Sequence, residues 1–335
     1  MQRTLKDYFI IALKGIAMGA ADAVPGVSGG TIAFISGIYE ELITSISNVN
    51  LDLFKTLQKH GITAFWKQAN GKFILALLSG IIISFVSFMR LAQYLIEQHP
   101  ILIWSFFFGL IVVSIYFVGK QIAKWNAGTI VGLIIGAVTA YYITSLPLLA
   151  ANNNPWFLFV AGAIAICAMI LPGVSGSFIL LILGAYTELS NALNDFDFKK
   201  IAIFAVGAIV GLLSFSRLLK WLFRNYRNTT LALLTGFILG SLNKMWPWKQ
   251  TIFVMHEDSG KIVPFKNISD LGTLSVFEKT TNNFHSYKTV LEESISPFIY
   301  SKINLTNHQI VLALGLMILG FLTIFILEKI GSKKA

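Results

Sequence analysis

The chain contains two copies of a short motif whose residue types could bind an anion. The first copy, residues 25–31, reads Pro-Gly-Val-Ser-Gly-Gly-Thr, and the second, residues 172–178, reads Pro-Gly-Val-Ser-Gly-Ser-Phe. Proline disfavours a helical conformation in the residue before it and suits the first turn of a helix after it. Serine is a good helix N-cap. Each copy therefore predicts a break followed by a new helix, whose free N–H groups and positive dipole end would attract an anion.

The predicted binding groups are the glycines and the hydroxyl side chains of the two motifs. They are Gly26, Ser28, Gly29, Gly30 and Thr31 in the first copy, and Gly173, Ser175, Gly176 and Ser177 in the second. The second copy has Ser177 and Phe178 where the first has Gly30 and Thr31, so the two half-sites are not expected to be equivalent. The alternative interpretation is close helix packing, because small residues are common at helix interfaces in membranes.

Two arginines occupy equivalent positions in the two halves of the chain. Arg90 and Arg217 each end a Ser-Phe-x-Arg sequence inside an apolar segment. A central arginine costs about 2.5–3.5 kcal/mol on membrane-insertion scales, so it usually has a partner or a function, and its guanidinium group suits phosphate. We predict that both arginines contribute to the anion site. The alternative is that their side chains extend to the membrane surface.

Three acidic residues near the motifs are candidates for coupling transport to a cation. Asp22 precedes the first motif, and Glu41 and Glu188 occupy equivalent positions after the two motifs. Acids within membrane segments often belong to proton relays or ion pathways, so a proton or a sodium ion is the predicted coupling ion. For Glu41 and Glu188 the alternative is an acid that lies at the membrane interface, at a helix end.

The composition is that of an integral membrane protein with many spans. Of the 335 residues, 55% are hydrophobic and 13% are charged, whereas a soluble domain carries about 25% charged residues. The single cysteine, Cys167, excludes an intrachain disulfide, and we predict neither a cofactor nor a metal site. The net charge of +10 indicates cytoplasmic loops that face anionic membrane lipids, and no basic-aromatic module supports nucleic-acid binding.

The two halves of the chain are related in sequence. Residues 24–42 match residues 171–189 at eleven positions with an offset of 147. Further matches, such as Gly109 with Gly236, follow at an offset of 127. The change in offset predicts a longer loop in the first half, around residues 47–72.

These matches divide the chain into a first membrane repeat at 1–150 and a second at 151–335, with a polar, extracytoplasmic insertion at 247–307. The insertion alternates in polarity in places and could form a small cap. In each repeat the motif joins two short apolar segments, which in the first half are 8–23 and 27–46, and three further apolar segments follow. Each repeat then crosses the membrane an odd number of times, so the second enters from the opposite side.

The predicted fold is an all-α polytopic membrane protein with two inverted-topology repeats. Each repeat would consist of a broken or re-entrant helical hairpin plus three transmembrane helices. The two motifs should approach each other near the membrane midplane. The distribution of lysine and arginine places the N- and C-termini in the cytoplasm.

A remote alternative is an intramembrane serine protease, because residues 26–30 also fit a Gly-x-Ser-x-Gly pattern. A nucleophilic serine needs a base, and no histidine lies in the middle of an apolar segment. This alternative requires His99 or His308 to pack beside Ser28.

The sequence Asp-Ala-Val-Pro-Gly-Val-Ser-Gly-Gly-Thr at 22–31, with Pro-Gly-Val-Ser-Gly at 172–176, resembles the PopT-like polyprenyl-phosphate transporters, a bacterial membrane family. The resemblance covers the chain except for the 247–307 insertion. It implies a protein of the inner (cell) membrane that returns undecaprenyl phosphate, the lipid carrier of cell-wall polymers, from the outer to the cytoplasmic leaflet. The prenyl tail would stay in the lipid. The alternative function is transport of a small soluble anion through the same site.

Overall fold

The chain is mostly helical, and two series of helices follow one another along it. The structure, a computed structural model, describes residues 3–22, 28–146, 154–256, 262–265 and 287–332. The first half contains α1 (Leu5–Asp22), α2 (Gly29–Ile35), α3 (Tyr39–Ser47), α4 (Leu51–Gln68), α5 (Gly71–Gln98), α6 (Pro100–Gly119) and α7 (Ala127–Ser145). The second half contains α8 (Pro155–Ile170), α9 (Gly176–Ile182), α10 (Tyr186–Asn194), α11 (Phe198–Asn225), α12 (Arg227–Met245), β1 (Lys249–His256), β2 (Ile262–Pro264), β3 (Tyr287–Ser294), α13 (Pro297–Asn304) and α14 (Ile310–Ser332).

The order and length of the helices recur between the halves. In each half a first helix is followed by helices of 7 and 9 residues, and a helix of 28 residues comes next in the second half and after α4 in the first. The short helices α2 and α3 meet at Gly37 (φ +73°), and α9 and α10 meet at Gly184 (φ +69°), its repeat equivalent. The segment 27–46 is therefore not one helix. Seven residues extend about 10 Å, so α2 and α9 each end well short of crossing a bilayer.

The long loop predicted at 47–72 is wrong, because most of this stretch is the helix α4. Asn50 caps its first turn, accepting a hydrogen bond from the Leu53 N–H at 2.9 Å. The helix is kinked at Gly61, whose φ of 75° lies in the region that favours glycine. Six of its first ten residues are polar or charged, so a search for apolar segments misses the helix, although its apolar residues recur at helical spacing.

Glycines bring helices together in equivalent places of the two halves. In α5, a Cβ on Gly80 would overlap the Ala12 carbonyl oxygen of α1, and in α11 a Cβ on Gly207 would overlap the Phe159 carbonyl oxygen of α8. Small residues allow helix backbones to approach in this way in membranes. The first helix of each hairpin is therefore packed directly against the 28-residue helix of its own half.

The last long helix of each half packs on the opposite half. Gly236 of α12 faces the backbone of Leu133 in α7, and Gly109 of α6 faces the backbone of Met317 in α14. Gly109 and Gly236 are the pair that the sequence matches predicted. The final helix of each half thus packs on a helix of the other half.

Three described helices are long and apolar enough to cross a membrane by length and composition: α6, α7 and α11. Shorter apolar helical stretches cover 71–84, 156–170 and 310–325. On α7, Val131, Ile134 and Val138 are exposed at helical spacing, which is typical of a face in contact with lipid. The chain is a membrane protein, as the composition indicated.

The all-α class is correct for the membrane segments and wrong for the 247–307 insertion. Within the insertion, β1 forms the centre of an antiparallel sheet of order β2-β1-β3. The alternation noted in this stretch falls on β2. Val254 of β1 is fully buried, and the Trp246 indole N–H donates to the Ile295 carbonyl at 2.8 Å, so the sheet is held against the end of α12.

We expect Gly236→Ala to lower the Tm of the purified protein in detergent micelles. The new Cβ would overlap the Leu133 carbonyl oxygen, and overpacking of this kind costs about 1–3 kcal/mol. Gly315→Ala is the matched control, since a Cβ at Gly315 of α14 meets open space and both changes have the same intrinsic helix propensity. Equal changes in Tm for the two variants would contradict the proposed role of the α7–α12 contact.

Candidate functional site

The two motifs contact each other in the interior of the protein. The Gly173 N–H of the second copy donates to the Thr31 Oγ1 of the first at 2.9 Å, and this bond is buried. The Ser28 Oγ lies 3.4 Å from the carbonyl oxygens of both Met169 and Leu171, at the end of α8. The expected approach of the two breaks is therefore observed.

Small residues in the first copy permit this approach. A Cβ on Gly30 would lie 2.7 Å from the Ile170 carbonyl oxygen, so a larger residue would push α2 away from α8. Ser28 and Thr31 are almost completely buried. The hydroxyl groups of the first copy thus join the two halves, and they are not open to a ligand in this arrangement.

Asp22 occupies the position where the sequence predicted an anion. It is the last residue of α1, and its Oδ1 accepts a hydrogen bond from the Gly29 N–H, at the start of α2, at 2.6 Å. A Cβ on Gly29 would lie 2.8 Å from the Asp22 Cγ, so only glycine fits here. The first amide of the new helix is already paired with a carboxylate of the protein itself.

The second copy has no such carboxylate and is more accessible. The repeat equivalent of Asp22 is Met169. Ser175 is partly exposed and Ser177 exposed, and their Oγ atoms lie 2.8 Å apart. Gly176 is buried against the Ala165 carbonyl oxygen. Two adjacent hydroxyl groups are thus presented at the start of α9.

The backbone of the second copy depends on the glycine at 173. Its φ of +88° is one that side-chain-bearing residues rarely adopt, and a Cβ there would lie 2.8 Å from the Phe237 carbonyl oxygen and 2.9 Å from the Ser241 Oγ. The motif is therefore seated against the C-terminal half of α12.

Of the two arginines, the described one, Arg217, contacts a part of the chain outside the motifs. The Arg217 Nη2 donates to the Val49 carbonyl oxygen at 3.2 Å, after the end of α3. Arg90 lies in α5, but its side chain falls outside the described part of the structure, as does the whole of Gly26. A role for Arg90 stays a prediction, and the structure places Arg217 at a different part of the molecule.

Glu41 and Glu188 likewise lie apart from the motifs, each beside a cation. The Arg3 guanidinium donates to both carboxylate oxygens of Glu41, at 2.5 and 2.6 Å, and the Lys200 Nζ donates to Glu188 at 2.5 Å. These pairings match the alternative of an acid at a helix end. Among the described residues, Asp22 is the one acid of the three with a hydrogen bond to a motif.

A basic pocket that the sequence reasoning missed lies between α3 and α11. It has a volume of about 240 Å³ and is lined by Glu40, Ile43, Thr44, Lys220, Phe223 and Arg224. The signal in the sequence was the spacing of Lys220 and Arg224, four residues apart and so on one helix face. Beside the pocket, Arg227 pairs with Glu40 at 2.8 Å.

Ser28 has no catalytic base among the described residues. Its hydroxyl faces two carbonyl oxygens, whereas the ring of His99 packs against Tyr94 and that of His308 against Phe298. The condition set for a serine protease is not met. Nor do the described acids, histidines and cysteine form a group that could hold a metal ion.

Comparison with known proteins finds one family profile and two relatives that match the chain. A family profile described as undecaprenyl phosphate translocase-like matches residues 18–263, which include both motifs. A polyprenyl-phosphate transporter of Vibrio cholerae serotype O1 is 42% identical over 327 residues, which are 98% of each chain. A polyprenyl-phosphate transporter of Staphylococcus aureus is 32% identical over 265 residues, 74% of this chain and 89% of that relative. No solved structure matches.

We expect Thr31→Val to destabilise the protein, whereas Thr31→Ser should retain most of its stability. Valine has nearly the same shape as threonine but leaves the buried Gly173 N–H unpaired, at a cost of about 1–3 kcal/mol. Thr323→Val is the control, because Thr323 is partly exposed on α14 and its hydroxyl donates to the Leu319 carbonyl oxygen of the same helix. The measurement is Tm in detergent micelles. A Thr31→Val protein as stable as the control would show that the Gly173–Thr31 bond does not hold the motifs together.

Proposed function

The chain belongs to the undecaprenyl phosphate translocase-like family, and from that premise we propose that it returns undecaprenyl phosphate from the outer to the cytoplasmic leaflet of the cell membrane. This is a family of transporters, so the chain is not an enzyme. The observation that carries the proposal is the buried contact between the two broken motifs at Thr31 and Gly173. Breaks of this kind, in corresponding places of two repeats, mark the substrate site of many transporters.

The physical problem for such a transporter is the phosphate and not the lipid tail. A phosphate group carries one to two negative charges, and moving an unpaired charge into hydrocarbon is prohibitively costly. The prenyl tail is as apolar as the bilayer and can remain there. The protein therefore has to supply only a polar path for the headgroup, open to the lipid on one side.

We place the phosphate at the second motif in this conformation. The hydroxyl groups of Ser175 and Ser177 are adjacent and accessible there, and within the described part of the chain they bond to each other and not to a carboxylate. The first motif supports this site, because the Thr31 hydroxyl holds the Gly173 amide of the second motif in place. The two half-sites then have different tasks, as their different residues at 30–31 and 177–178 suggested.

Asp22 couples the first motif to a proton in this proposal. While it is ionised, its carboxylate holds the Gly29 N–H at 2.6 Å and excludes a second anion. Protonation weakens that hydrogen bond, because bonds to ionised groups are about twice as strong as neutral ones. The Gly29 amide can then turn to the phosphate, so that a proton and a phosphate are taken up together.

The two halves lie in the membrane with opposite orientation in this proposal, with both termini in the cytoplasm and the sheet of the insertion outside. The reciprocal packing of α7 on α12 and of α14 on α6 supports two related halves. The basic pocket at Lys220 and Arg224 then faces the cytoplasm, as the positive-inside rule requires. Rocking of one half against the other would expose the motifs to each leaflet in turn.

The transport proposal predicts that the purified protein in liposomes moves labelled undecaprenyl phosphate between leaflets and that a pH gradient accelerates this movement. Asp22→Asn should remove the effect of the gradient and slow the movement by about tenfold, because asparagine can still accept from the Gly29 N–H but cannot take up a proton. Asp52→Asn is the control, since Asp52 is exposed and pairs only with Lys55 within α4. Leaflet distribution is followed by the accessibility of the label.

Uptake of inorganic phosphate is measured in parallel in the same liposomes. Phosphate uptake without lipid movement would replace the lipid transporter with the soluble-anion transporter considered from the sequence. A gradient effect that persists in Asp22→Asn would remove Asp22 from the coupling step.

The orientation is tested with single cysteines in a variant whose native Cys167 is replaced by alanine. Lys124→Cys, in the exposed connection between α6 and α7, should react with an impermeant thiol reagent only from the cytoplasmic side. Lys302→Cys, on α13, should react only from outside. Labelling of both positions from the same side would rule out the proposed orientation.

A further inference from the structure

Two lysines share one carboxylate beside the second motif. Lys244 lies in the last turn of α12, Lys249 begins β1, and Glu292 lies in β3. The Glu292 Oε2 is 3.6 Å from the Lys244 Nζ and 3.5 Å from the Lys249 Nζ. Two ammonium groups and one carboxylate leave one positive charge uncompensated, and the sheet of the insertion supplies two of the three side chains.

Aromatic rings enclose this cluster and connect it to the motif. The Lys249 side chain is only 8% exposed, and its Nζ lies 4.0 Å from the centroid of the Trp104 ring. The Lys244 Nζ lies 4.8 Å from the centroid of the Phe178 ring. Phe178 directly follows Ser177, so the Lys244 ammonium contacts the second motif through this ring.

The buried cluster carries more positive than negative charge, and this affects the pKa values of its members. Burial lowers the pKa of the Lys249 ammonium to about 8, an effect that the Glu292 charge opposes and the Lys244 charge adds to. Burial acts on the Glu292 carboxyl in the opposite sense, but the two lysines hold the pKa of that carboxyl below its usual range. A buried charge is costly unless it is paired. A second anion bound here would form an ion pair with the lysine that interacts less strongly with Glu292, and this ion pair would stabilise it.

A buried hydroxyl beside the cluster also has no partner. Thr251 is 5% exposed, and its Oγ1 has no hydrogen-bond partner within the described chain. Thr251 pairs with Glu292 across the strands, two residues from Lys249 and ahead of the bulge in β1. Side chains at these positions project from one face of a sheet. Buried polar groups are nearly always hydrogen-bonded, so this hydroxyl is available to a ligand.

We infer that Lys244, Lys249 and Thr251 form a capture site for a terminal phosphate group, which binds there before it reaches the second motif. The inference rests on the proposed function and adds a site to it. Without ligand, the Glu292 carboxylate holds both lysines in place. When the phosphate binds, the ion pair of Glu292 with one lysine breaks, or the Glu292 side chain moves away. The ligand chemistry is shared by a lipid phosphate headgroup and by inorganic phosphate.

The capture site belongs to one end of the molecule only. At the offset of 127, the first-half equivalent of Lys244 is Phe117, and Lys249 lies in the insertion, which the first half lacks, so the first half has no counterpart. The 19 residues of α12 extend about 28 Å, which separates this end from the pocket at Lys220. The insertion therefore makes the phosphate path chemically different at its two ends.

The test measures the concentration of inorganic phosphate, and separately of farnesyl phosphate, that raises the Tm of the purified full-length protein in neutral detergent micelles. Farnesol is the uncharged control ligand. Lys244→Gln and Lys249→Gln should each raise the half-saturating concentration about tenfold or more, the loss expected for one charged hydrogen bond. Lys302→Gln, an exposed lysine of α13, should leave it unchanged.

Glu292→Gln separates ligand binding from a purely structural role. Without the competing carboxylate both lysines are free for the phosphate, so the half-saturating concentration should fall several-fold even though Tm without ligand falls. A cluster that only holds the sheet on α12 would give the opposite sign or no change. This variant also keeps the test valid if Lys249→Gln does not fold.

The two ligands identify the source of the phosphate. Equal effects of inorganic and farnesyl phosphate mean that the site recognises the phosphate alone, and an effect of farnesyl phosphate only means a lipid headgroup. Protection by phosphate that both lysine variants retain in full, or protection equal to that of farnesol, would overturn the inference. Leaflet movement is measured with the same proteins reconstituted in liposomes. Lysine variants that move lipid and bind phosphate normally would remove the capture site alone. Lost phosphate binding in the lysine variants, together with an unsubstituted protein that moves no lipid, would remove only the transport proposal.

Discussion

A break in a helix inside a membrane leaves backbone groups that no water can satisfy, and the protein has to supply their partners. In this chain the partners come from the motifs themselves and from the residues around them. The Asp22 carboxylate accepts a hydrogen bond from the Gly29 N–H. The Thr31 hydroxyl accepts one from the Gly173 N–H, and the Ser28 hydroxyl faces the carbonyl groups that end α8. The two halves are thereby joined through the groups that each break leaves open.

This constraint explains why the two copies of the motif have diverged. Gly30 and Thr31 are the residues that fit between α2 and the end of α8, where space is limited and a hydroxyl is needed. Ser177 and Phe178 face the other way, towards the accessible surface and Lys244. One copy therefore serves mainly to satisfy backbone groups, and the other retains polar groups that a ligand can reach. The two copies of the duplicated motif thus differ in role: the first is structural, and the second is accessible to a ligand.

The sequence alone predicted what depends on local or repeated patterns. The breaks, their contact, and the paired glycines Gly109 and Gly236 follow from motifs and offsets that are visible in the chain. It did not predict the helix α4, whose polar residues mask its periodicity, or the sheet. It also missed the pairing of Lys249 with Glu292, 43 residues apart in the chain. Such pairings depend on strand register and on helix ends that meet only in three dimensions.

The exchange of final helices has a consequence for how the protein is made. Gly136 of α7 packs against Leu233 of α12, nearly 100 residues later, which at about 5–20 residues per second takes roughly 5–20 s to synthesise. Until then the glycine-lined face of α7 has no partner from its own chain and is exposed to lipid. The first repeat therefore enters the bilayer as an incomplete unit. The partner of α6 is α14, which is synthesised later than α12. Assembly has to proceed across the whole chain, so a protein truncated after either half would keep an unpaired helix face in the membrane.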